Sequence, residues 1–357
     1  QQREVVKLVP PPKPTKDNIL GYTWGIRPYR KGGIRLERED ICGKIIYHNY
    51  GHGGAGVSLA YGAAKKIVDK FLMEVGSKVK TVAIIGSGYM GLFQGLMLKD
   101  LGYNVNIYAS QFPVKLGIYK EGGLPMITSQ VAGGLWMPYG YDLTNKALHD
   151  SMAKETFLYY KQCIDKKIYK GLSYSKTVIM DIKNPVPEFV PDGLIQTKLV
   201  KVDFGNGVLH DAEIYNTILM DGDVFLNELY EEAKAKSVVF IEKKFNTLDD
   251  VLSLSEDVIF NCTGNGSHKL FNDKNMIPIS GHLIYVKKVP GFDYFLSSTT
   301  ADGSWRVTTY PQGNKLAMGL SYEEKGWIEK PDPKTIQTLI NNMIDFIHRK
   351  VEIKPKL

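Results

Sequence analysis

The chain has 357 residues, a hydrophobic content of 43% and a net charge of +7, with 45 Lys and Arg against 38 Asp and Glu. This length predicts two domains or one large α/β unit, with enough apolar residues to form a core. The charge is mild and contains no long Lys/Arg run, so a nucleic-acid partner is not expected, whereas an anionic small molecule would suit it. No apolar run reaches the roughly 18 residues that span a membrane, so no transmembrane segment is expected.

The cysteines and the first residues say little about the compartment. Cys42, Cys163 and Cys262 have neither disulfide nor metal-ligand spacing and are expected to be buried free thiols, so no metal site is predicted. The chain begins Gln1-Gln2 rather than with methionine, which a removed leader or an absent start would both explain. A soluble protein is therefore expected, either cytoplasmic or exported after removal of a leader.

The N-terminal part combines a Pro- and Lys-rich stretch with an arginine-rich segment. Residues 1–20 predict an extended surface arm. Residues 25–39 carry four arginines between strand-like residues and, taken alone, would fit a charged hairpin on the surface.

A cluster of glycines follows and leads into a predicted helix over about residues 59–71. Its members are Gly51, Gly53, Gly54 and Gly56. Bare backbone N–H groups at the start of a helix can face an anionic ligand. His48 and His52 are four residues apart but lie in this glycine loop, so packed or hydrogen-bonded histidines are favoured over a metal site.

Residues 82–91 combine an apolar strand with the pattern Gly86-x-Gly88-x-x-Gly91, followed by a predicted helix over 92–101 and a second strand over 103–109. This order is typical of the opening of a dinucleotide-binding βαβ unit. Gly86 would allow the turn, Gly88 the approach of a pyrophosphate to the helix start, and Gly91 close packing of the helix. Ser110 replaces the acidic residue expected about 20 positions on for the ribose hydroxyls, so a weaker grip on the ribose is expected.

The remaining chain interleaves helical and antiparallel patterns. Residues 128–139 place glycines beside Trp136, which suggests backbone lying against something flat. Helices are predicted over 144–164 with Thr144 as the cap, over 223–234, and after Asp332-Pro333. Strands are predicted within 172–204, at 238–241, at 257–264 up to a glycine turn, at 281–286 and 294–298, and as a pair, 305–309 and 315–321.

Together these stretches resemble the D-amino-acid oxidase family of flavoenzymes. The blocks that carry the resemblance are residues 25–39, 48–56, 86–91 and 131–139, with 257–264 as a weaker fifth. The resemblance implies FAD and an α/β fold in which a Rossmann-like FAD-binding domain is interleaved with an antiparallel-sheet substrate domain, as in glutathione-reductase-type flavoproteins. The expected ranges are 34–140 plus 221–270 for the FAD-binding domain, and 1–33, 141–220 and 271–357 for the substrate domain.

The order of the blocks differs from that of the family. There the glycine turn begins the chain and the Arg-Pro and His-Asn-Tyr-Gly blocks end it, whereas here the order is reversed. The sequence therefore predicts a circular permutation, natural or engineered, with residues 73–80 joining the family's last helix to its first strand. Gln1 and Leu357 should then lie on the same side of the substrate region.

Carried over block by block, the resemblance implies a site built largely from backbone. The expected FAD contacts are Gly86, Gly88 and Gly91 at the pyrophosphate, Ser110 at the ribose, Thr128, Ser129, Gly133, Gly134 and Leu135 at phosphate and isoalloxazine, and Gly53, Gly54, Gly56, Val57 and Ser58 at the pyrimidine edge. Arg27 would bind the substrate carboxylate through two parallel hydrogen bonds, and the Gly54 carbonyl would accept from the amine. The implied chemistry is hydride transfer from Cα to flavin N5, reoxidation by O2 to H2O2, and hydrolysis of the imine to a 2-oxo acid.

A second departure concerns two tyrosines that the family places before the proline of a strand turn. Ser304 and Thr308 stand there, so Tyr310 or Trp305 would have to take over their roles at the substrate. On strand alternation Ser304 and Thr308 share a face with Arg306, which becomes a candidate second anion contact.

The leading hypothesis is an FAD-dependent amino-acid oxidase, with D-amino acids favoured and with O2 and an amino acid or amine as partners. One alternative within the fold is oxidation of glycine, sarcosine or another secondary amine. Others are a flavin-binding protein without oxidase turnover, and a dehydrogenase that passes electrons to a quinone or a protein. A homodimer is compatible with all of these.

Overall fold

A computed structural model describes residues 2–114 and 127–355 of the chain. Its strands are β1 (Val5–Lys7), β2 (Ile19–Arg30), β3 (Arg35–Ile41), β4 (Lys44–Tyr50), β5 (Thr81–Ile85), β6 (Asn104–Ala109), β7 (Leu172–Ile179), β8 (Lys198–Asp203), β9 (Leu209–Met220), β10 (Val239–Glu242), β11 (Val258–Asn261), β12 (Met276–Lys287), β13 (Tyr294–Thr299), β14 (Arg306–Gln312) and β15 (Lys315–Gly319). Its α-helices are α1 (Gly56–Glu74), α2 (Tyr89–Asp100), α3 (Thr128–Val131), α4 (Lys146–Asp165), α5 (Gly222–Ala235), α6 (Leu248–Leu252), α7 (Ser267–Leu270) and α8 (Pro333–Ile347).

Six strands form a mainly parallel sheet in the order β10-β6-β5-β11-β4-β3. All neighbours are parallel except β3, which runs antiparallel to β4 at the edge. The strands are apolar on both faces: α1 and α2 cover one, while the other packs on a cluster that includes Val251 and Leu270. Parallel sheets are normally covered on both faces in this way, which explains their near-continuous apolar sequences.

The predicted βαβ unit is present as β5-α2-β6, with element ends within a few residues of those expected. Gly86 has φ +121°, and a Cβ atom at Gly91 would lie 1.9 Å from the Gly86 carbonyl oxygen. A Cβ atom at Gly95 would lie 2.9 Å from Ile107 Cδ1. Glycine at these places therefore lets α2 pack directly on the turn and on the sheet.

The second sheet has nine strands in the order β1-β8-β9-β7-β13-β14-β15-β12-β2. Helix α8 packs on it through Leu339, Met343 and Phe346. The Asp332 side chain accepts a hydrogen bond from Lys334 N at 2.9 Å, so the predicted cap and the proline that follows it are confirmed. The predicted pairing of the last two strands is confirmed by the antiparallel register of β14 and β15.

Two local expectations are wrong because the strands involved pair with strands that are distant in sequence. Residues 25–39 are not a hairpin: β2 pairs with β12 in the nine-stranded sheet, whereas β3 pairs with β4 in the six-stranded one. The N-terminal stretch is more than a surface arm, since β1 pairs with β8.

The cap of α4 is Asn145, whose side chain accepts from Leu148 N at 3.0 Å, and not Thr144.

All three cysteines are free thiols, but only Cys163 is fully buried. Cys42 is exposed because it occupies the tight turn between β3 and β4, where its φ is +47°. Cys262, directly after β11, is partly buried.

Within residues 2–114 and 127–355 no helix is both long and apolar enough to cross a membrane.

The two sheets follow the ranges expected for the two domains. All strands of the six-stranded sheet fall within 34–140 and 221–270, and all strands of the nine-stranded sheet within 1–33, 141–220 and 271–357. One continuous apolar cluster joins side chains from both sheets, so the division into two domains stays a prediction. The permutation also stays a prediction, because Gln1 and Leu357 lie outside the described residues.

Candidate functional site

A cavity of about 600 Å³ lies where the carboxyl ends of the parallel strands face the nine-stranded sheet. Ligands of open α/β sheets bind at this edge. The predicted site residues that line the cavity are Arg27, Gly53, Gly54, Gly56, Val57, Ser58, Gly86, Gly88, Ser110, Thr128, Ser129, Gly133, Gly134, Leu135, Thr308 and Tyr310. Gly91 does not line it and instead packs beneath the turn at Gly86.

The first corner of the cavity is the glycine turn before α2. Gly88 is the residue that precedes the helix and has no side chain to cap it, so in the described structure the first-turn N–H groups after Tyr89 can face a ligand. Ser129 lies close beside this turn, because Tyr89 N donates to its Oγ at 3.3 Å and a Cβ at Gly88 would lie 2.7 Å from that atom. Ser87 Oγ donates to Gln111 O at 2.6 Å, which ties the turn to the segment containing Ser110.

The second corner is the 3-10 turn Gly53–Ala55 at the start of α1, which also has no side-chain cap. Gly54 N donates to Gly140 O at 2.9 Å. Ser58 Oγ accepts from Met137 N at 3.0 Å, and Ser58 O accepts from Trp136 Nε1 at 3.1 Å. Trp136 is therefore fully buried in the core, while the glycines before it face the cavity.

A third loop, Thr263 to Gly266 after β11, was not singled out from the sequence as site residues. Asn261 Oδ1 accepts from Thr263 N at 3.1 Å and from Thr263 Oγ1 at 2.8 Å. Its Nδ2 donates to His48 Nδ1 at 2.9 Å, and His48 Nε2 contacts Glu39 at 2.7 Å. Burial lowers the pKa of His48 to about 4, so the ring is neutral at pH 7 and can accept this bond, which confirms a hydrogen-bonded histidine.

Arg27 on β2 extends its guanidinium into the same cavity. Its Nη1 donates to Ser280 O at 3.1 Å, and its Cζ lies 4.9 Å from the ring centroid of Tyr322. No acidic side chain in the described parts of the chain pairs with Arg27, whose pKa is lowered by burial. A Cβ at Gly54 would lie 3.6 Å from Arg27 Cδ, so the two predicted substrate contacts are neighbours. Most N–H donors of this fork are thus free to bind an anion.

The charged residues that line the cavity are all cationic. They are Arg27, Arg306, Lys243 and Lys244, and no Asp or Glu of the described residues lines it. Two buried histidines of the lining, His52 and His282, are neutral because burial lowers their pKa to about 3 and about 4. The positive charge and the bare backbone favour a ligand that carries phosphate or carboxylate groups.

The resemblance expected two tyrosines in and just before β14, and the residues found there differ in how they contact the cavity. The Thr308 hydroxyl donates to the Gly319 carbonyl within the sheet. The Tyr310 ring lies against Gly133, where a Cβ would come within 2.7 Å of its Cζ, and burial raises the pKa of its hydroxyl. Ser304 and Trp305 do not line the cavity. Ser304 belongs to the turn before β14, where its N and Oγ bond to Asp302, so only part of the expected shared face exists.

Several lining residues were missed from the sequence, among them Tyr139, Tyr215, Tyr322, Gln111, Lys243 and Lys244. Gln111, Lys243 and Lys244 follow the carboxyl ends of parallel strands, a position that could have identified them. For Tyr215 and Tyr322 no local signal exists, because only strand pairing brings β9 and the end of β15 to the cavity.

FAD fits this cavity. Two glycine-lined helix starts offer backbone N–H groups to its pyrophosphate, and glycines at 53, 88 and 133 stand where a Cβ would come within 3 Å of neighbouring atoms. No described carboxylate of the lining would repel its phosphates.

Comparison with known proteins supports the same assignment. No family model matches the chain. It is 29% identical over 212 residues to a D-amino-acid oxidase of Dictyostelium discoideum, which covers 57% of this chain and 56% of that protein. It is 25% identical over 265 residues to a D-amino-acid oxidase of Streptomyces coelicolor, which covers 72% of this chain and 75% of that protein. The chain thus spans just over half the length of the first relative and three quarters of the second.

Among solved structures, an iminodiacetate oxidase from a Chelativorans species superposes with a TM-score of 0.52 at 14% identity, over 75% of this chain and 78% of that one. At this identity the likeness shows the fold alone. Fold, cavity and sequence similarity agree: the chain is similar in sequence to D-amino-acid oxidases, and its fold is that of FAD-binding oxidoreductases.

Proposed function

We propose that the protein oxidises an amino acid, preferably a D-amino acid, to an imine that hydrolyses to a 2-oxo acid, with O2 reduced to H2O2. The observation that carries the proposal is Arg27: a guanidinium without a described acidic partner, in one cavity with two glycine-lined helix starts. A homodimer stays a prediction.

The residues around Arg27 would orient the substrate. The guanidinium binds the α-carboxylate through two hydrogen bonds, and the neighbouring Gly54 carbonyl accepts from the amino group. Together these two contacts determine which face of Cα meets the cofactor. Bound FAD supplies the hydride acceptor and the route of the electrons to O2.

The charge of the cavity would also set the protonation of the substrate. Arg27 places positive charge near an amino group held at Gly54, Arg306 adds to the positive charge of the same cavity, and no described carboxylate of the lining opposes them. A like charge lowers the pKa of an ammonium group. The neutral amine, which has the lone pair that the oxidation needs, is thereby favoured.

The flanking aromatic rings would shield the reacting carbon from water. Tyr310 and Phe295 pack edge to face, with ring centroids 4.6 Å apart, and both line the cavity. Tyr322 covers the Arg27 guanidinium from the other side. These rings take the place of the tyrosines that the family carries at positions 304 and 308.

The test is an anaerobic bleaching assay on the FAD-loaded protein with a panel of D- and L-amino acids, glycine and sarcosine. Loss of the visible flavin band with D-amino acids, followed by H2O2 release when air is admitted, is expected. Bleaching by no substrate would leave a flavin-binding protein without turnover and overturn the proposal. Bleaching with slow reoxidation in air would identify an acceptor other than O2.

A matched variant separates binding of the cofactor from binding of the substrate. Arg27→Leu should retain bound FAD, because Arg27 lies at the substrate end, but should no longer be bleached at low substrate concentration. Unchanged bleaching in this variant would contradict the role of Arg27.

A further inference from the structure

A second pair of cations lines the cavity where β6 and β10 end. Strands β6 and β10 are parallel neighbours, with Glu242 level with Ala109. Lys243 N donates to Ala109 O at 2.9 Å, so the chain leaves β10 beside Ser110. Ser110, Gln111, Lys243 and Lys244 all line the cavity there.

These lysines are available to a ligand. In the described parts of the chain neither Lys243 nor Lys244 has a carboxylate within ion-pair distance, and no carboxylate lines the cavity. Lys243 Nζ lies 5.2 Å from the ring centroid of Phe245. Asp250 is the nearby carboxylate: it accepts from Asn246 N and Thr247 N at the start of α6, and these bonds together with the charge of Lys243 lower its pKa.

The position is the one at which dinucleotide sites distinguish their ligands. An acidic residue at the end of the second strand accepts hydrogen bonds from the ribose hydroxyls and repels a phosphate there, whereas a cation in its place accommodates a ribose phosphate. This chain has an uncharged serine at the position and two lysines beside it. FAD carries no phosphate on its adenosine ribose and would leave the two cations without an anionic partner in the ligand.

We propose that this end of the cavity is an anion subsite for adenine nucleotides that carry a phosphate monoester on the ribose. Such nucleotides would occupy the adenosine part of the FAD site and compete with the cofactor. The inference rests on the placement of FAD proposed above, with the glycine turn at the pyrophosphate.

The test uses the full-length protein after removal of FAD. Isothermal titration calorimetry compares adenosine 5′-monophosphate with adenosine 2′,5′-bisphosphate and adenosine 3′,5′-bisphosphate, followed by titration with FAD. At least one bisphosphate should bind about tenfold more tightly than the monophosphate at low salt, be displaced by FAD, and lose most of this advantage at high salt. The isomer that binds more tightly, 2′,5′ or 3′,5′, shows which ribose oxygen faces the lysines.

Two variants and one control test whether Ser110 and the two lysines cause the preference for the bisphosphate. Ser110→Asp should abolish the preference for the bisphosphate, because a carboxylate accepts from ribose hydroxyls but repels phosphate. Lys243→Gln with Lys244→Gln should also abolish the preference. Lys236→Gln should not, because Lys236 is ion-paired with Asp100 away from the cavity.

Equal affinities for the monophosphate and both bisphosphates, with FAD still bound, would overturn the inference alone. Failure of FAD to bind the protein again after its removal would instead count against the proposed function. A preference that survives in both the Ser110 and the lysine variants would place the phosphate elsewhere.

Discussion

The guanidinium of Arg27 lies against Gly281, where a Cβ atom would come within 2.7 Å of Nη1 and 2.9 Å of Nη2. Gly281 is on β12, next to the Ser280 carbonyl that accepts from Arg27. The absence of a side chain at position 281 is thus what allows the fork to lie flat across the strand and face the cavity.

Gly281→Ala should therefore impair substrate binding more than folding. The atoms that the new methyl group meets are at the end of a flexible side chain, which can move at little cost in free energy of unfolding. We expect KM for the amino acid to rise about tenfold, as for loss of a charge-assisted hydrogen bond. In an Arg27→Ala background the same substitution should have no further effect on KM, and additive effects would contradict the contact.

Tyr322 should hold the Arg27 guanidinium by stacking rather than through its hydroxyl. Its ring centroid lies 4.9 Å from Arg27 Cζ, and the residue is about half exposed, at 53%. Cation–π contacts at exposed sites contribute about 0.5–1 kcal/mol. Tyr322→Phe should leave KM near the wild-type value, whereas Tyr322→Leu should raise it by about two- to fivefold. Equal losses in both variants would show that the hydroxyl matters.

Arg306 should favour substrates with an acidic side chain. It lines the cavity, and among the described residues its Nη1 has only a long contact of 3.4 Å to Ser297 Oγ. Arg306→Ala should raise KM for D-aspartate or D-glutamate by about tenfold and leave KM for D-alanine unchanged. Arg349→Ala is the control, because Arg349 pairs with Asp345 outside the cavity. Unchanged KM for the acidic substrates would exclude this contact.

The buried histidines should make the fold sensitive to mild acid. Burial lowers the pKa of His48 and His282 to about 4 and that of His52 to about 3. In the unfolded chain they take up protons near pH 6.5, so below that pH the unfolded state binds more protons and stability falls until the folded-state pKa is reached. The free energy of unfolding should therefore decline from pH 6.5 towards pH 4, by roughly 1.4 kcal/mol per pH unit for each histidine.

Urea denaturation at a series of pH values measures this slope. In the His282→Gln variant this slope should be smaller, because about one proton fewer is taken up on unfolding. His282 Nε2 accepts from Asp332 N at 3.0 Å, and an amide oxygen can replace that acceptor, so the variant is expected to fold. A free energy of unfolding that does not change between pH 7 and pH 5 would contradict the prediction.

Local sequence was sufficient for the features that depend on neighbouring residues. The glycine turn before α2, the capped start of α8 and the alternation of β14 and β15 each follow from residues within one turn or one strand of each other. For the same reason the corners at Gly53 and Gly86 could be anticipated, because backbone exposed at a helix start is a local property.

Only the tertiary structure decided how these pieces face one another. Arg27 meets Ser280 across 253 residues, and Lys243 is brought beside Ser110 by a parallel strand pair. Ser304 was expected beside Arg306 but lies in a turn, since where β14 begins depends on its pairing with β13. The sequence by itself determined which residues could bind anions, whereas strand order and register, set by burial of the whole sheet, decided which of them share the cavity.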